Sequence, residues 1–337
     1  MPPDTPSAPA LIGLDWGTTR LRVMLLDVAG NVIASRESDQ GIRRARGAFA
    51  ETFAEAIAPW RAQHPGLPVY ASGMITSRNG WVQTPYLPLP ADAGALAAGL
   101  VRHTMPDGTV IAFVPGLCDD SGTHPDVMRG EETEIVGHLA QNPAVADDPA
   151  RLLILPGTHT KWVDGAQGRI TRFRTYMTGE IYGAMTRHSI LGDLMPPRDE
   201  AAPCDREAFA QGVAAAGEDG DDLLAKLFSA RSLVLFERLA PAHIGDYLSG
   251  LLIGTEVAQA RAGMRNSATT TGGPAATTCT IIGRGDLAAR YAQACEAHGF
   301  TARIAPPGAA GAGLGALHAR ATLHARATLN ARATLHT

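Results

Sequence analysis

In Leu14-Asp15-Trp16-Gly17-Thr18-Thr19-Arg20 an acidic residue ends an apolar run and is followed at once by glycine and hydroxyl side chains. Gly17 lets backbone N–H groups approach a phosphate, the Thr18 and Thr19 hydroxyls add donors, and a carboxylate such as Asp15 at a strand end can hold a hydrated Mg²⁺. Leu155-Pro156-Gly157-Thr158-His159-Thr160-Lys161 repeats the pattern with a cation in place of the acid. Either segment alone would also serve as an ordinary hairpin turn. Two of them in one chain can grip one polyphosphate from both sides.

Between these turns, Met128-Arg129-Gly130-Glu131-Glu132 places a glycine and paired carboxylates at the head of an apparent helix. Such a carboxylate can take the proton of an attacking hydroxyl during phosphoryl transfer, although acidic residues also favour any helix N-terminus through its dipole. Adjacent helical residues diverge by about 100°, so Glu131 and Glu132 cannot flank one scissile bond as a hydrolase pair. Ser72 to Trp81 gathers Gly73, Arg78, Asn79 and Trp81 beside several hydroxyls. That set suits a polyhydroxylated anion, and it would equally make a glycine loop around a buried indole. Two other motifs fail. Gly311-x-Gly313-x-x-Ala316 has no later acid to hold a ribose and reads as a small-residue helix, and Asp119 to Asp126 lacks the terminal Glu of a calcium loop.

The elements that must carry these residues follow from the apolar pattern. The 337 residues are 45% hydrophobic and 18% charged, enough for two buried cores. A formal charge of −4 with no basic stripe argues against nucleic acid. No apolar run reaches the roughly 18 residues that span a bilayer, and the N-terminus lacks a leader pattern, which predicts a cytoplasmic protein. The four cysteines have no metal-ligand spacing and read as buried or free thiols.

Leu11 to Ala34 reads as a three-strand antiparallel meander, followed by a helix at Phe49 to Trp60, a strand at Val69 to Ala71, a helix near Ala93 to Arg102 and a strand at Val110 to Val114. The same grammar returns at Leu152 to Met177 and a helix from Gly179 to Ile190, so the chain reads as a duplicated α/β unit. A Gly/Ala/acid-rich linker is expected at Ala210 to Asp222, then helices at Ile244 to Ala260 and Asp286 to His298 around a strand at Thr280 to Ile282. In the last helix Leu287, Tyr291, Ala294, Cys295 and His298 share one face. The expected domains are residues 1–150 and 151–315. Residues 316–337, three copies of a six-residue unit, are expected to fray because six residues advance a helix by about 600° and their leucines form no stripe.

The order of these motifs is similar to the acetate and sugar kinase/Hsp70/actin superfamily. Within it, Leu14 to Arg22, Met128 to Glu132, Leu155 to Trp162, Tyr176 to Tyr182, His188 to Gly192 and Tyr247 to Gly254 resemble the 2-dehydro-3-deoxygalactonokinase family, over residues 11–315. The resemblance implies two ribonuclease H-like domains of mixed sheet plus helices, hinged over a central cleft that holds Mg·ATP. It implies ATP-dependent phosphorylation of 2-dehydro-3-deoxy-D-galactonate at its 6-hydroxyl, a step of bacterial galactonate catabolism. Pro156 stands where many superfamily members carry Asp, which argues against metal binding there, and the repetitive tail has no family counterpart.

Combined with the residue chemistry, the resemblance assigns Asp15 to Mg²⁺ and Gly17, Thr18 and Thr19 to the β- and γ-phosphates. It assigns Gly157, Thr158, His159, Thr160 and Lys161 to closure from the second half, and Gly283, Arg284 and Gly285 to the adenosine. Glu131 is the first choice of base and Glu132 the second. Arg20, Gly73, Arg78, Asn79 and Trp81 are the substrate set, with Arg129 competing, because an anionic polyol needs local cations on a chain of charge −4. The rivals are a kinase of the same fold for another keto-deoxy sugar acid or a ketose, and a non-catalytic nucleotide-gated sugar-binding protein. The partner is a small molecule, and the sequence leaves open whether the chain is a homo-oligomer.

Overall fold

The computed structural model describes residues 8–143, 151–197, 204–217, 220–266, 278–283 and 285–334. The chain divides into two compact units: Met1–Ala150 with Asp164–Phe173 and Pro306–Thr337, and Arg151–Val163 with Arg174–Ala305.

The first unit contains β1 (Leu11–Trp16), β2 (Leu21–Leu26), β3 (Val32–Ser38), α1 (Phe49–Gln63), β4 (Val69–Ser72), β5 (Tyr86–Pro88), α2 (Ala93–Ala98), β6 (Val101–Thr104), β7 (Val110–Phe113), β8 (Gly116–Asp119), β9 (Asp126–Met128) and α3 (Glu131–Gln141). Its six-stranded sheet runs β3-β2-β1-β4-β7-β6, and β5-β8-β9 form a small second sheet. β1 pairs antiparallel with β2 and parallel with β4, and β4 runs parallel to β7. β1 is apolar at both parities because both faces of this central strand are covered, whereas edge strand β3 is mostly exposed and carries polar residues.

The second unit is built on β10 (Arg151–Leu155), β11 (Thr160–Ala166), β12 (Arg169–Tyr176), α4 (Thr178–His188), α5 (Arg206–Ala216), α6 (Leu223–Leu227), α7 (Ser229–Leu235), α8 (Ile244–Asn266), β13 (Thr278–Ile281), α9 (Gly285–Ala297) and β14 (Thr301–Ile304), except that the hairpin segment Asp164–Phe173 is grouped with the first unit. The sheet order is β12-β11-β10-β13-β14, with β10, β13 and β14 parallel. Gln167 and Gly168, both in the left-handed region at φ 51° and 76°, close the β11–β12 hairpin as a two-residue turn. Each unit therefore has three hairpin-linked strands followed by parallel crossovers, the ribonuclease H-like α/β topology expected from the sequence.

Four local readings are corrected. The linker expected at Ala210 to Asp222 contains most of α5, capped by the Asp205 carboxylate and ended at Gly217. Its small residues serve close packing on α8: a Cβ on Gly212 would stand 2.0 Å from the Tyr247 oxygen, and one on Gly250 2.0 Å from the Phe209 oxygen. The helix expected at Ala93 to Arg102 stops at Gly99, and Val101–Thr104 is strand β6. On α9, Leu287 is 39% exposed and leaves the buried face held by Tyr291, Ala294, Cys295 and His298. Residues from Ala309 to Thr334 form one helix, α10, grouped with the first unit. Leu317 is buried there and Leu323 exposed.

α10 is a small-residue helix because it needs to be. A Cβ on Gly313 would lie 1.9 Å from the Thr133 oxygen, and one on Gly137 1.8 Å from the Ala309 oxygen, so α10 and α3 touch backbone to backbone. All four cysteines are free thiols, Cys279 and Cys295 being buried. Among the described residues no helix is long and apolar enough to cross a membrane.

Candidate active site

Asp15 lies near the end of β1, in register with Arg22 of β2 and Ser72 of β4. The Gly17 N–H donates to the Arg20 oxygen at 2.9 Å, so it closes the turn and is not offered to a phosphate. The carbonyls of Gly17, Thr18 and Thr19 accept from Ile42, Arg43 and Gly41, and the Trp16 indole N–H donates to the Gln40 oxygen at 2.8 Å. A Cβ on Gly41 would stand 2.3 Å from the Thr19 carbonyl carbon, which makes this glycine part of the turn although nothing local in the sequence marks it. Thr18 and Thr19 stay at the tip. Arg20 is exposed and lies 3.8 Å from Glu37, which pairs more closely with Arg22 at 2.5 Å. Burial raises the Asp15 carboxyl above its ordinary value, Arg22 offsets part of this, and Glu37 adds to it.

The head of α3 holds the paired glutamates in different environments. Gly130 precedes the helix at φ 110°. Glu131 is partly exposed, and its Oε2 accepts from the Arg129 N–H at 3.0 Å. Glu132 is 0% exposed and folds back to accept the Gly130 N–H at 2.7 Å and the Thr133 hydroxyl at 3.2 Å. Burial, then the neighbouring Glu131, pushes Glu132 up to about 7. Glu134, overlooked in the sequence although it stands one turn after Glu131, is pushed up to about 8 by burial and by the charges of Asp15, Glu131 and Glu132, Arg22 offsetting part. Asp15 and the helix head thus share one field of negative charge.

The loop after β4 is pinned rather than open. Gly73, at φ 94°, sits where a Cβ would lie 2.9 Å from the Trp16 oxygen. Buried Arg129 donates to the hydroxyls of Thr76 and Thr84, each at 2.5 Å, and stacks 4.3 Å over the Tyr86 ring. Its guanidinium braces the loop. Trp81 packs edge-on against Trp16, His103 and Phe113 and tilted on Phe53, within the core of the unit. Arg78 and Asn79 are exposed at the loop tip. Of the expected substrate set in this loop, these two present their side chains to solvent.

In the second unit a cavity of about 380 Å³ is lined by Gly157 and Thr158 of the second turn, by Thr178, Gly179 and Tyr182 of α4, by Ser249, Leu252 and Ile253 of α8, and by Asp286, Leu287, Arg290 and Tyr291 of α9. Its size falls in the range of small-molecule sites, about 300–1,000 Å³. A Cβ on Gly179 would stand 2.4 Å from the Gly157 oxygen, and the Glu180 N–H donates to the Thr158 oxygen at 3.0 Å, so α4 starts directly against the turn. The other expected turn residues support it. His159 pairs through Nε2 with Glu180, Thr160 shares a 2.6 Å hydrogen bond with Tyr291, and Lys161 is buried. Gly283 packs against Pro156, Gly285 opens α9 at φ 53°, and Arg284 lies outside the described residues. Arg290 pairs with Asp246 at 2.7 Å and Asp286 at 2.6 Å, and the Asp246 carboxyl sits below its ordinary range because the Asp205 N–H and Arg290 outweigh its burial. The lining from α4 and α8 went unassigned in the sequence because those residues are apolar or lone hydroxyls whose role depends on packing.

Among the described residues no three His, Cys, Asp or Glu side chains cluster as a metal cage.

A model of the family described as 2-keto-3-deoxy-galactonokinase matches residues 15–317. The chain is 35% identical over 289 residues to the 2-dehydro-3-deoxygalactonokinase of Escherichia coli K12, covering 86% of this chain and 90% of that one. A crystal structure of a Sinorhizobium meliloti protein, provisionally designated a 2-dehydro-3-deoxygalactonokinase, superposes with a TM-score of 0.77 at 32% identity over 92% of this chain and 98% of that one.

Proposed function

The chain belongs to the 2-keto-3-deoxy-galactonokinase family and is a sugar-acid kinase, a phosphotransferase with an alcohol acceptor, and on that premise we propose that it transfers the γ-phosphoryl group of ATP to the 6-hydroxyl of 2-dehydro-3-deoxy-D-galactonate. The observation that carries the residue assignment is the contrast at the head of α3. Glu131 and Glu132 each accept one nearby backbone N–H, but Glu131 is partly exposed while Glu132 is fully enclosed. Glu131 is therefore the general base that takes the proton of the acceptor hydroxyl, and Glu132 holds the helix head in shape.

The cavity beside Gly157 and Thr158 receives the nucleoside end of ATP, with Leu252, Ile253 and Leu287 as apolar walls and Thr178, Ser249 and Asp286 as polar contacts. Thr18 and Thr19 meet the phosphates in the first unit. Exposed Arg20, Arg78 and Asn79 attract and orient the acceptor's carboxylate and hydroxyls.

Mg²⁺ takes oxygen ligands and keeps much of its water, using one or two carboxylates together with phosphates. Asp15, raised by burial and sharing its field with Glu134, fits that donor chemistry and gains from a nearby dication. When bound, the ion neutralises charge on the β- and γ-phosphates. Asp15 would be the carboxylate that holds it, through water.

Coupled ADP release with Mg·ATP and a panel of 2-keto-3-deoxygalactonate, its gluconate epimer, galactonate and several ketoses tests this reading. Selective turnover of the first is expected. Preference for another panel member would overturn the acceptor, and ATP binding without turnover of any would favour the nucleotide-gated sugar-binding protein.

A further inference from the structure

Glu256 of α8 is 2% exposed, and no part of the reaction as described uses it. Its carboxylate accepts three side-chain hydrogen bonds from three different elements. Trp162 Nε1 of β11 donates to Oε1 at 2.6 Å, and Oε2 accepts from the Thr178 hydroxyl of α4 and from the Tyr291 hydroxyl of α9, the latter at 2.8 Å. Because Tyr291 spends its proton on Glu256, its oxygen accepts from Thr160 at 2.6 Å, which brings the end of the second turn into the same network.

Thr178 and Tyr291 both line the cavity, and Gly179, next to Thr178, carries the turn at Gly157. We propose that Glu256 is a positioning residue for the nucleotide: its single buried carboxylate sets the spacing of β11, α4 and α9, and through them the width of the cavity and the placement of the second phosphate turn. An enclosed carboxyl group is costly unless its oxygens are hydrogen-bonded, and three donors converge on them here. A hydrophobic contact would tolerate sliding of the three elements. Three hydrogen bonds converging on two oxygens from three directions fix direction as well as distance.

The inference rests on the cavity being the nucleotide site, and the test separates the two. ADP affinity, the KM values for ATP and sugar acid, and kcat would be measured for Glu256→Gln, Trp162→Phe, their double variant and Leu287→Glu. Gln presents a donor where the carboxylate accepts, so Glu256→Gln is expected to weaken ADP binding and raise the ATP KM at least tenfold, with the sugar-acid KM within twofold. Trp162 does not line the cavity, so the smaller loss expected for Trp162→Phe, about threefold, is transmitted through Glu256 and will not multiply with the Gln effect in the double variant. If Glu256→Gln does not fold, Trp162→Phe alone decides: unchanged ADP affinity overturns the proposal. Equal shifts in both KM values, or multiplicative effects in the double variant, also overturn it. Leu287→Glu puts a negative charge on the cavity wall and is expected to repel ADP. Unchanged ADP binding there would remove the nucleotide reading itself, whereas sensitivity to Leu287→Glu without sensitivity to Glu256→Gln would remove only the role of Glu256.

Discussion

A Cβ on Gly130 would stand 3.2 Å from the Cα of Gly73, and both glycines occupy positive φ, 110° and 94°. The head of α3 and the end of β4 thus meet backbone to backbone. Gly73 in turn lies against the backbone of Trp16, one residue beyond Asp15. Two glycines therefore set how near the helix that carries Glu131 comes to the strand that carries Asp15.

Gly73→Ala is expected to cost about 2–3 kcal/mol, left-handed strain plus a clash with the Trp16 oxygen, and to lower kcat by displacing the helix head. Gly47→Ala is the control, since Gly47 has φ 89° with nothing within 4 Å of its added carbon. It should cost only the strain, about 1–2 kcal/mol, and keep full activity. Urea unfolding and kcat on both variants check this. Equal activity losses would mean that backbone strain, not close approach, is what matters.

Glu131→Gln should lower kcat by about 10²–10⁴, the range for losing a general base, with little change in either KM. Glu132→Gln keeps an oxygen for the Gly130 N–H and should lower kcat by no more than about tenfold, because the proposal gives its enclosed side chain a structural part at the helix head. Steady-state kinetics on the two single variants separate them, and the reverse ranking would transfer the base to Glu132.

The sequence made the candidate-site segments legible because each combines a glycine with a charge or hydroxyl directly after an apolar strand, a strictly local pattern. It also showed both meanders, since hairpins and buried strands are written in neighbouring residues. What stayed hidden was set by distant contacts. Gly41 matters through the Thr18 and Thr19 carbonyls more than twenty residues away, Arg129 turned inward because Thr76 and Thr84 await it, and Trp81 was drawn into the core by Trp16 and Phe53. The Gly/Ala stretch of α5 looked like a linker because its composition serves a helix contact that only α8 reveals.

Stability should fall as pH rises from about 5 to about 8. Glu132 and Glu256 are shifted from about 4.5 to about 7 and Glu134 to about 8. Between those values the folded chain holds protons that the unfolded chain has released, so raising the pH favours unfolding, by at most about 1.4 kcal/mol per pH unit per group. Below the unfolded value the contribution is complete, and above about 8 it is gone. Urea midpoints across this range should decline for the native chain and decline less steeply for Glu132→Gln. A flat profile for both would contradict the burial of these carboxyls.

Arg129→Lys retains the charge but loses the fork that reaches Thr76 and Thr84 together and the planar stack on Tyr86. A loss of about 1–3 kcal/mol is expected from hydrogen bonds left unmade in a buried place. Since these bonds tie the loop holding Arg78 and Asn79, the sugar-acid KM should rise while the ATP KM stays within twofold. Thermal unfolding and the two KM values test it. A rise in both would show that the damage spreads beyond the loop.

Asp15→Asn removes the carboxylate proposed to hold Mg²⁺ and also relieves the repulsion that raises Glu134. The two effects point in opposite directions and can be read separately. Stability without nucleotide should rise slightly at pH 8, where the Asp15 and Glu134 charges otherwise confront each other. Turnover should fall at least a hundredfold, and the Mg²⁺ concentration for half-maximal rate should increase, because one oxygen ligand with a full charge has become a neutral amide. Titrating Mg²⁺ at saturating ATP gives the second value directly. An unchanged Mg²⁺ requirement with kcat reduced would leave Asp15 important to the site through its charge on α3 and would remove it as the metal's holder.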